Sequence, residues 1–260
     1  MGCLPIRATA QHTEAVATSP SSAFLAANGD DQVIRVRRSE PLQGTVRVAG
    51  AKNSVLKIMA ASLLCPGHYT LRNVPRIADV RWMGELLERM GAATHQQEDA
   101  LTIDIPEKMV PEAPYDLVER MRASIAVLGP LLARFGEARV SVPGGDDFGH
   151  RPIDMHLRGL EEMGVSFTTR HGYIEGRVEQ LLGTRVLLEF PSVGATENLL
   201  MAAVMAKGTT VIDNAAREPE IADLADFLNA MGASVHEAGT STITVHGVEH
   251  LHPADHTVIP

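Results

Sequence analysis

Apolar residues recur at helical spacing in three similar segments of the chain, ADVRWMGELLER, IDMHLRGLEE and EIADLADFLNA. Each has apolar residues near i, i+3, i+4 and i+7, which predicts an amphipathic helix. Each helix leads into a Met-Gly pair followed by Ala or Val, and glycine is the usual helix stop. These tripeptides are Met90-Gly91-Ala92, Met163-Gly164-Val165 and Met231-Gly232-Ala233. Their spacing predicts a repeated structural unit.

Each of these helices is preceded by a second kind of helix, rich in small residues, and a short strand. The preceding helices are AKNSVLKIMAASLLC, MRASIAVLGPLLARF and GATENLLMAAVMA, and the strands are HYTLRNV, EARVSV and TTVIDNA. Two strand-like segments follow every amphipathic helix. The predicted unit is therefore helix, strand, helix, strand, strand, used three times. The small-residue helices are expected to be surrounded on most sides, which predicts an α/β fold with helices inside and sheets outside.

The three units are expected to form one domain over residues 50–250. Residues 1–31 are rich in Ala, Ser and Thr and lack a continuous apolar core, so they are predicted to be a disordered extension, with a processed targeting segment as the alternative. Residues 32–49 are predicted to form two short strands, and residues 251–260 to begin another. Neither set is predicted to have a partner within the three-unit domain.

Composition narrows the classes of function. The 260 residues are 45% hydrophobic, as expected of a globular protein, and only 4% aromatic, which argues against a stacking surface for nucleic acid. The net charge of -9 means that an anionic substrate would need a local cluster of Lys and Arg. Cys3 and Cys65 form no CxxC, which fits a reducing cytoplasm. No apolar run approaches the roughly 18 residues of a membrane span.

The loop PGGDDFGHRP, residues 143–152, carries more charge than a connector between a strand and a helix needs. Its paired carboxylates, Asp146 and Asp147, suit a divalent metal, acid and base catalysis, or the cap of the helix after Pro152. Pro152 and Asp154, at the start of that helix, favour at least some capping.

Other candidate residues lie where helices of the repeat begin. Lys52-Asn53, Arg122 and Ser192–Thr196 occupy related positions, and equivalent positions of a threefold repeat converge in space. Helix N-termini that face one cleft would bind anions even in an acidic protein.

Two further groups have a structural alternative. The histidines His250, His252 and His256 resemble a metal cluster, but a solvated strand edge explains them as well. Arg217 and Glu218 suit either a structural ion pair or an active site.

Five motifs in order resemble the UDP-N-acetylglucosamine 1-carboxyvinyltransferase family, enolpyruvyl transferases of peptidoglycan precursor synthesis. They are GAKN (50–53), MRASIAVLGPLLARFG (121–136), PGGD…RPIDMH (143–156), PSVGATEN (191–198) and NAAREPEI (214–221). The resemblance runs from about residue 33 to residue 260 and implies a cytoplasmic enzyme with two domains, each an inside-out α/β barrel of three repeats. It implies transfer of the enolpyruvyl group of phosphoenolpyruvate to the 3-hydroxyl of UDP-N-acetylglucosamine, with release of phosphate. The family needs no metal or other cofactor.

The resemblance also implies roles for individual residues. Lys52 and Arg151 would grip the phosphate of phosphoenolpyruvate, Asn53 would contact the sugar, and Arg122 would line the same pocket. Arg151, Pro152 and Asp154 would hold the uridine end. Ser192, Val193 and Gly194 would offer groups to the diphosphate.

Asp146 stands where most relatives have a cysteine on a mobile loop. The resemblance therefore implies Asp146 as the general acid, provided that its pKa is raised. Asp147 would raise that pKa, whereas Lys52 and Arg151 would lower it. Thiol-alkylating inhibitors such as fosfomycin would find no nucleophile here.

The chain also stops before the aspartate that relatives use as the proposed base and before further arginines of their second domain. Residues 32–49 and 251–260 would then belong to that incomplete second domain. The chain is expected to be a fragment, a truncated gene product, or half of a split enzyme that a second polypeptide completes. Alternatives are a non-catalytic UDP-sugar-binding domain and a transferase with another nucleotide acceptor.

Overall fold

The computed structural model describes residues 40–41, 43–118, 122–141 and 153–260. Contacts within the chain divide it between Val46 and Arg47, and the unit Arg47–Pro260 contains every helix and strand of the described residues. The predicted extension 1–31, residues 32–39 and 42 of the predicted strands, and the whole charged loop 143–152 lie outside the described residues. No helix in the described ranges is long and apolar enough to cross a membrane.

The predicted unit of helix, strand, helix, strand, strand occurs three times. The first unit comprises α1 (Lys52–Ala61) with a 3-10 turn (Ser62–Leu64), β1 (Gly67–Arg72), α2 (Ala78–Met90), β2 (Ala93–Gln97) and β3 (Ala100–Ile105). The second comprises β4 (Glu112–Ala113), α3 (Tyr115–Val118), a 3-10 helix (Arg122–Val127), α4 (Leu128–Phe135), β5 (Glu137–Ser141), α5 (Asp154–Glu162), β6 (Ser166–Arg170) and β7 (Tyr173–Arg177). The third comprises β8 (Arg185–Leu187), α6 (Val193–Ala203), β9 (Thr209–Asp213), α7 (Pro219–Ala230), β10 (Ser234–His236) and β11 (Thr242–His246). A last strand, β12 (His256–Thr257), follows them.

The glycines of the repeated Met-Gly pair end the amphipathic helices as predicted. Gly91, Gly164 and Gly232 have φ of 114°, 102° and 97°, in the left-handed region that favours glycine.

The small-residue helices are the inner helices, as predicted. In α6, all residues from Ala195 to Ala203 are buried, and in α1 burial includes the whole stretch Ile58–Ala61. Residues Leu128–Leu132 of α4 are buried as well. The strands show alternating burial instead, as expected of sheets that cover a core with one face.

The inner helix of the second unit differs from the prediction of a single helix over MRASIAVLGPLLARF. Its first part is a 3-10 helix, and regular α-helix begins only at Leu128. Pro130 explains the break, because proline has no N–H to donate to the carbonyl of Ala126 and its ring would clash there. The α-helix therefore starts where Pro130 falls in its first turn.

Three four-stranded sheets surround the inner helices, in the orders β12-β1-β3-β2, β4-β5-β7-β6 and β8-β9-β11-β10. In each sheet an outer strand runs parallel to the strand that follows the inner helix: β4 beside β5, β8 beside β9, and β12 beside β1. The other pairings are antiparallel.

The pairing of β12 contradicts the prediction that residues 251–260 lack a partner in the three-unit domain. Leu71 pairs with His256 and Arg72 with Thr257, so the end of the chain completes the sheet of the first unit. The repeat explains this, because the first unit has no counterpart of β4 or β8 immediately before its inner helix. Residues 43–49 are exposed and contain no strand. Since the strands predicted in residues 32–49 are expected to lack their sheet partner here, they stay a prediction.

Candidate active site at the helix N-termini

The start of α1 is held by backbone contacts and leaves two predicted site residues exposed. A Cβ on Gly50 would lie 2.1 Å from the carbonyl oxygen of Asn73, so only glycine allows the chain to pass there. The N–H of Ala51 donates to the carbonyl of Ile259 at 2.7 Å. Lys52 and Asn53 then open the helix on its exposed side. The side chain of Ala51 has no acceptor, so it leaves the N–H groups of the first turn available to a ligand.

Lys52 has an acidic neighbour on the next helix. Its Nζ lies 3.5 Å from Oδ1 of Asp79, in the first turn of α2, and 54% of the lysine side chain is exposed. An exposed pair of this kind contributes little to stability. The ammonium can therefore exchange Asp79 for an anionic ligand at small cost.

The start of α6 is capped by its own serine. The Oγ of Ser192 accepts a hydrogen bond from the N–H of Ala195 at 3.3 Å, and Thr196 Oγ1 donates to the carbonyl of Ser192 at 2.8 Å. Val193 and Gly194 form the half-exposed first turn between them. This geometry fixes the turn whose N–H groups were predicted to face a diphosphate.

The start of α5 lies beside that turn. Asp154 is the first helical residue, and its Oδ2 lies 3.2 Å from Nη2 of Arg158. Arg158 in turn contacts Glu189 at 2.5 Å, which ties α5 to the segment that leads into Ser192. The second carboxylate oxygen of Asp154, Oδ1, is buried and has no hydrogen-bond partner among the described residues.

Side-chain contacts bring the starts of five helices to one face. Helix α1 contacts α2 through Lys52 and Asp79, and it contacts α7 through Ser54 and Asp223. Helix α6 contacts the residue before α7, because Thr196 accepts the N–H of Ala216. Helix α6 also contacts α5, where the ring of His156 packs against Gly194. Helix N-termini carry partial positive charge, so this face attracts anions despite the acidic chain.

A buried ion pair lies beneath this face. Lys57 of α1 and Glu197 of α6 are 2.5 Å apart, and the glutamate is fully buried. Burial raises the pKa of Glu197 because it penalises the charged form, while the Lys57 ammonium acts in the opposite direction. Glu220 and Glu218, at the start of α7, raise it further. The pair connects the first and third units about one turn into α1 and α6.

Six predicted site residues lie in or directly before the first turns of α1, α5 and α6: Lys52, Asn53, Asp154, Ser192, Val193 and Gly194. Arg122 begins the 3-10 helix of the second unit, which packs against α1 and α6. Asp146, Arg151 and Pro152 lie outside the described residues.

The tail histidines and the pair Arg217 and Glu218, for which the sequence left a structural explanation open, also have defined contacts. His256 is not on a solvated edge: its ring is mostly buried and its Nε2 lies 2.8 Å from Oδ1 of Asp223. The backbone N–H of Arg217 donates to the Glu218 carboxylate at 2.9 Å. Within the described ranges, no three His, Cys, Asp or Glu side chains are grouped as metal ligands.

Sequence reasoning missed the polar residues below the face. Asp223, Lys57, Glu197 and Asn198 each join two or more helices, but none was singled out. A signal was present, because Lys57 interrupts an otherwise apolar helix and Thr196-Glu197-Asn198 puts three polar residues in a row on a helix predicted to be inside.

The fold and this face define the class of the protein as an inside-out α/β domain with the N-termini of several helices on one face. The chain belongs to the EPSP synthase (3-phosphoshikimate 1-carboxyvinyltransferase) family, whose model matches residues 36–260. It is 53% identical over 225 residues to UDP-N-acetylglucosamine 1-carboxyvinyltransferase 1 of Caldanaerobacter subterraneus, covering 86% of this chain and 54% of that protein. It is 52% identical over 218 residues to UDP-N-acetylglucosamine 1-carboxyvinyltransferase of Corynebacterium jeikeium, covering 84% and 52%.

Among solved structures, the chain is similar to the enolpyruvyl transferase NikO from Streptomyces tendae. The TM-score is 0.74 at 28% identity, covering 84% of this chain and 52% of that one. An EPSP synthase of Acinetobacter baumannii shares the fold, with a TM-score of 0.65 at 19% identity, covering 83% and 49%. The chain thus spans about half the length of the relatives it matches.

Proposed function

We propose that the chain supplies the first-domain half of a UDP-N-acetylglucosamine 1-carboxyvinyltransferase. This activity moves the enolpyruvyl group of phosphoenolpyruvate to the 3-hydroxyl of the sugar and releases phosphate, as the first committed step of peptidoglycan synthesis in the cytoplasm. The observation that carries the proposal is the identity of 52–53% with relatives of that name over 84–86% of the chain. A face of helix N-termini suits both substrates, because both carry phosphate groups.

The two inner-helix starts would bind different parts of the substrates. At α1, Lys52 would bind the phosphate of phosphoenolpyruvate together with Arg151, and Asn53 would contact the sugar. At α6, the turn of Ser192, Val193 and Gly194 would donate N–H groups to the diphosphate. The pairing of Lys52 with Asp79 supports the first assignment, because it keeps the ammonium at the mouth of the site until an anion displaces the carboxylate.

The uridine end would lie at the start of α5. Asp154 would accept hydrogen bonds from the uracil, beside Arg151 and Pro152, and Arg122 would line the neighbouring pocket. The buried Oδ1 of Asp154 supports this assignment, because within the described residues it lacks the hydrogen-bond partner that a buried carboxylate oxygen needs.

Asp146 would be the general acid that protonates the methylene carbon of phosphoenolpyruvate. A carboxylic acid can replace a thiol in this step if its pKa is raised towards neutrality. It cannot replace a thiol as the nucleophile that fosfomycin alkylates, so this enzyme would be insensitive to fosfomycin. The base that accepts the proton of the sugar hydroxyl would come from a second domain, on this chain's continuation or on another polypeptide.

The test combines binding and turnover. Isothermal titration of the 260-residue chain with UDP-N-acetylglucosamine should give saturable binding, and phosphate release from phosphoenolpyruvate should follow once the second domain is present. Asp146→Ala should retain binding but lose release by about a hundredfold or more. Unchanged turnover in Asp146→Ala would show that Asp146 is not the acid.

A matched substitution tests the inhibitor prediction. Asp146→Cys should form a covalent adduct with fosfomycin that mass spectrometry detects, whereas the natural chain should form none. An adduct on the natural chain at residue 146 would contradict the proposal. Binding of the sugar nucleotide without phosphate release, even with the second domain supplied, would favour a non-catalytic UDP-sugar-binding protein.

A further inference from the structure

Three consecutive residues of α6, Thr196, Glu197 and Asn198, are polar and fully buried. Each contacts a different part of the domain. Thr196 receives the N–H of Ala216 before α7, and Glu197 pairs with Lys57 of α1. Asn198 points into the second unit. Of the three, Asn198 has the most completely defined set of partners.

The partners of Asn198 fix the orientation of its amide. Its Oδ1 accepts the backbone N–H of Gly129 at 2.7 Å, and its Nδ2 donates to the backbone carbonyl of Ile125 at 2.8 Å. A backbone N–H can only donate and a carbonyl can only accept, so the oxygen and nitrogen of the amide cannot be exchanged. A Cβ on Gly129 would lie 2.3 Å from the carbonyl of Asn198, so glycine is needed for this approach.

The fixed amide determines the tautomer of His156. The Nδ2 of Asn198 also lies 2.9 Å from Nδ1 of His156, which must therefore accept its second N–H. An imidazole that accepts at Nδ1 is neutral and carries its proton on Nε2. The histidine is buried, so solvent does not compete for this hydrogen bond.

The other side of the imidazole lies under the predicted diphosphate turn. A Cβ on Gly194 would be 3.2 Å from Cε1 and 3.3 Å from Nε2 of His156, so the ring packs directly against the turn, and a side chain at position 194 would press on it. His156 is also two residues after Asp154 on α5. Its ring thus connects the predicted uridine end to the predicted diphosphate turn.

We propose that Asn198 is a positioning residue for the sugar nucleotide: it holds His156 as the neutral Nε2–H tautomer, and the ring in turn holds the Ser192–Gly194 turn in register with Asp154. This inference rests on the proposed function for its ligand, but the tautomer follows from the hydrogen bonds alone. Asn198 itself touches no substrate. Its effect passes through the imidazole.

The test uses two isosteric substitutions, Asn198→Asp and Asn229→Asp. Asn229 is the matched control, because its amide also makes two backbone hydrogen bonds, to the N–H and carbonyl of Val235, but lies at the far end of α7. Binding of UDP-N-acetylglucosamine is measured by titration calorimetry for both variants. The ring nitrogens of His156 are followed by long-range nitrogen–proton NMR, with signals assigned by their absence in His156→Asn.

The inference predicts that Asn198→Asp weakens binding by about tenfold and protonates Nδ1 of His156, because a carboxylate can only accept. Asn229→Asp should change neither result, although both variants should lower the melting temperature. Equal affinity in Asn198→Asp and the natural chain, equal loss in both variants, or unchanged His156 signals would each overturn the inference.

Two further arms keep the test decisive. If Asn198→Asp does not fold, His156→Asn replaces it in the test. The side-chain oxygen of the new asparagine can still accept from Asn198, but the ring below Gly194 is removed. His156→Asn should also weaken binding about tenfold, and full affinity would refute the inference. If the natural chain does not bind the sugar nucleotide at all, the proposed function fails. The nitrogen signals then decide the positioning claim by themselves.

Discussion

The first and third units have the same elements but complete their sheets in different ways. In the third unit, β8 lies shortly before β9 in the chain, and the exposed Arg185 contacts Asp213, 28 residues away. In the first unit, β12 comes from the far end of the chain, and the amide of Asn73 donates to Val258, 185 residues away. The entropy of closing a loop grows only slowly with its length, so the longer route costs little extra.

The larger difference lies in what holds each closing strand. β12 has two residues, too few to be held by backbone pairing alone, and the buried Asp223 secures the segment. Its carboxylate accepts hydrogen bonds from Ser54 of α1 and from His256 of β12. The comparison teaches that a strand brought from a distance is fixed by a buried polar network, whereas the side-chain ion pair of the strand close in sequence lies at the surface.

The largest expected effect comes from breaking the link between these two units at Lys57. Lys57→Met should lower the free energy of unfolding by about 4 kcal/mol, because Glu197 is left buried without its partner. Removing the ammonium raises the pKa of Glu197 beyond the increase that burial already causes. The folded state then holds a proton that the unfolded state releases, so the loss should shrink as the pH falls from 8 towards 5. Urea denaturation at several pH values measures this.

Two comparisons sharpen that result. The double variant Lys57→Met with Glu197→Gln should recover most of the stability, since the charges are removed together. Arg139→Met, which removes ion pairs to Glu112 and Glu175 on the outside of the second sheet, should cost less than about 1 kcal/mol. A loss in Lys57→Met that does not change with pH would contradict the buried pair.

Asp223→Ala should come next, with a loss of about 3 kcal/mol, because hydrogen-bonded groups of Ser54 and His256 lose a buried carboxylate. Arg185→Ala, the corresponding change in the third unit, should cost at most about 1 kcal/mol, because the arginine is exposed. Both are measured by urea denaturation at neutral pH. Equal losses in the free energy of unfolding would show that β12 and β8 are not held in the different ways described.

The smallest expected effect is a local one, on the rate at which the thiol of Cys65 is alkylated. Its thiol donates to the carbonyl of Leu251, just before β12, and burial raises the pKa of that thiol. In a Cys3→Ser background, iodoacetamide should therefore alkylate the folded protein much more slowly than the urea-unfolded chain at pH 8. Asp223→Ala should speed the reaction more than Arg185→Ala does, because it loosens the segment that covers the thiol. Similar alkylation rates in the two variants would show that the exposure of Cys65 does not depend on how β12 is held in the first sheet.

Much of the fold could be predicted because its repeat is local. The spacing of apolar residues, the small residues of the inner helices and the glycines after Met90, Met163 and Met231 are all properties of short segments. They determine the order of elements and their inside or outside position. The candidate residues Lys52, Asn53 and Ser192–Gly194 could be found for the same reason, since each opens a helix.

The remaining features depend on contacts between distant segments, which periodicity does not reveal. The partner of β12 is fixed by Asp223 and by the empty edge of the first sheet, and neither is apparent in HTVIP. The start of α4 depends on where Pro130 falls in the first turn. The roles of Glu197 and Asn198 depend on which helix faces them, so their burial was predictable but their partners were not.

The hydrogen bond from Ala51 to Ile259 has a topological consequence. It places the two ends of the three-unit domain, at Ala51 and Ile259, next to each other. A domain with adjacent entry and exit can be inserted into a host protein, or circularly permuted, with little strain. The exposed turn at His171-Gly172 between β6 and β7 is a natural place to open such a permuted chain, and the three units would then follow one another around a closed ring.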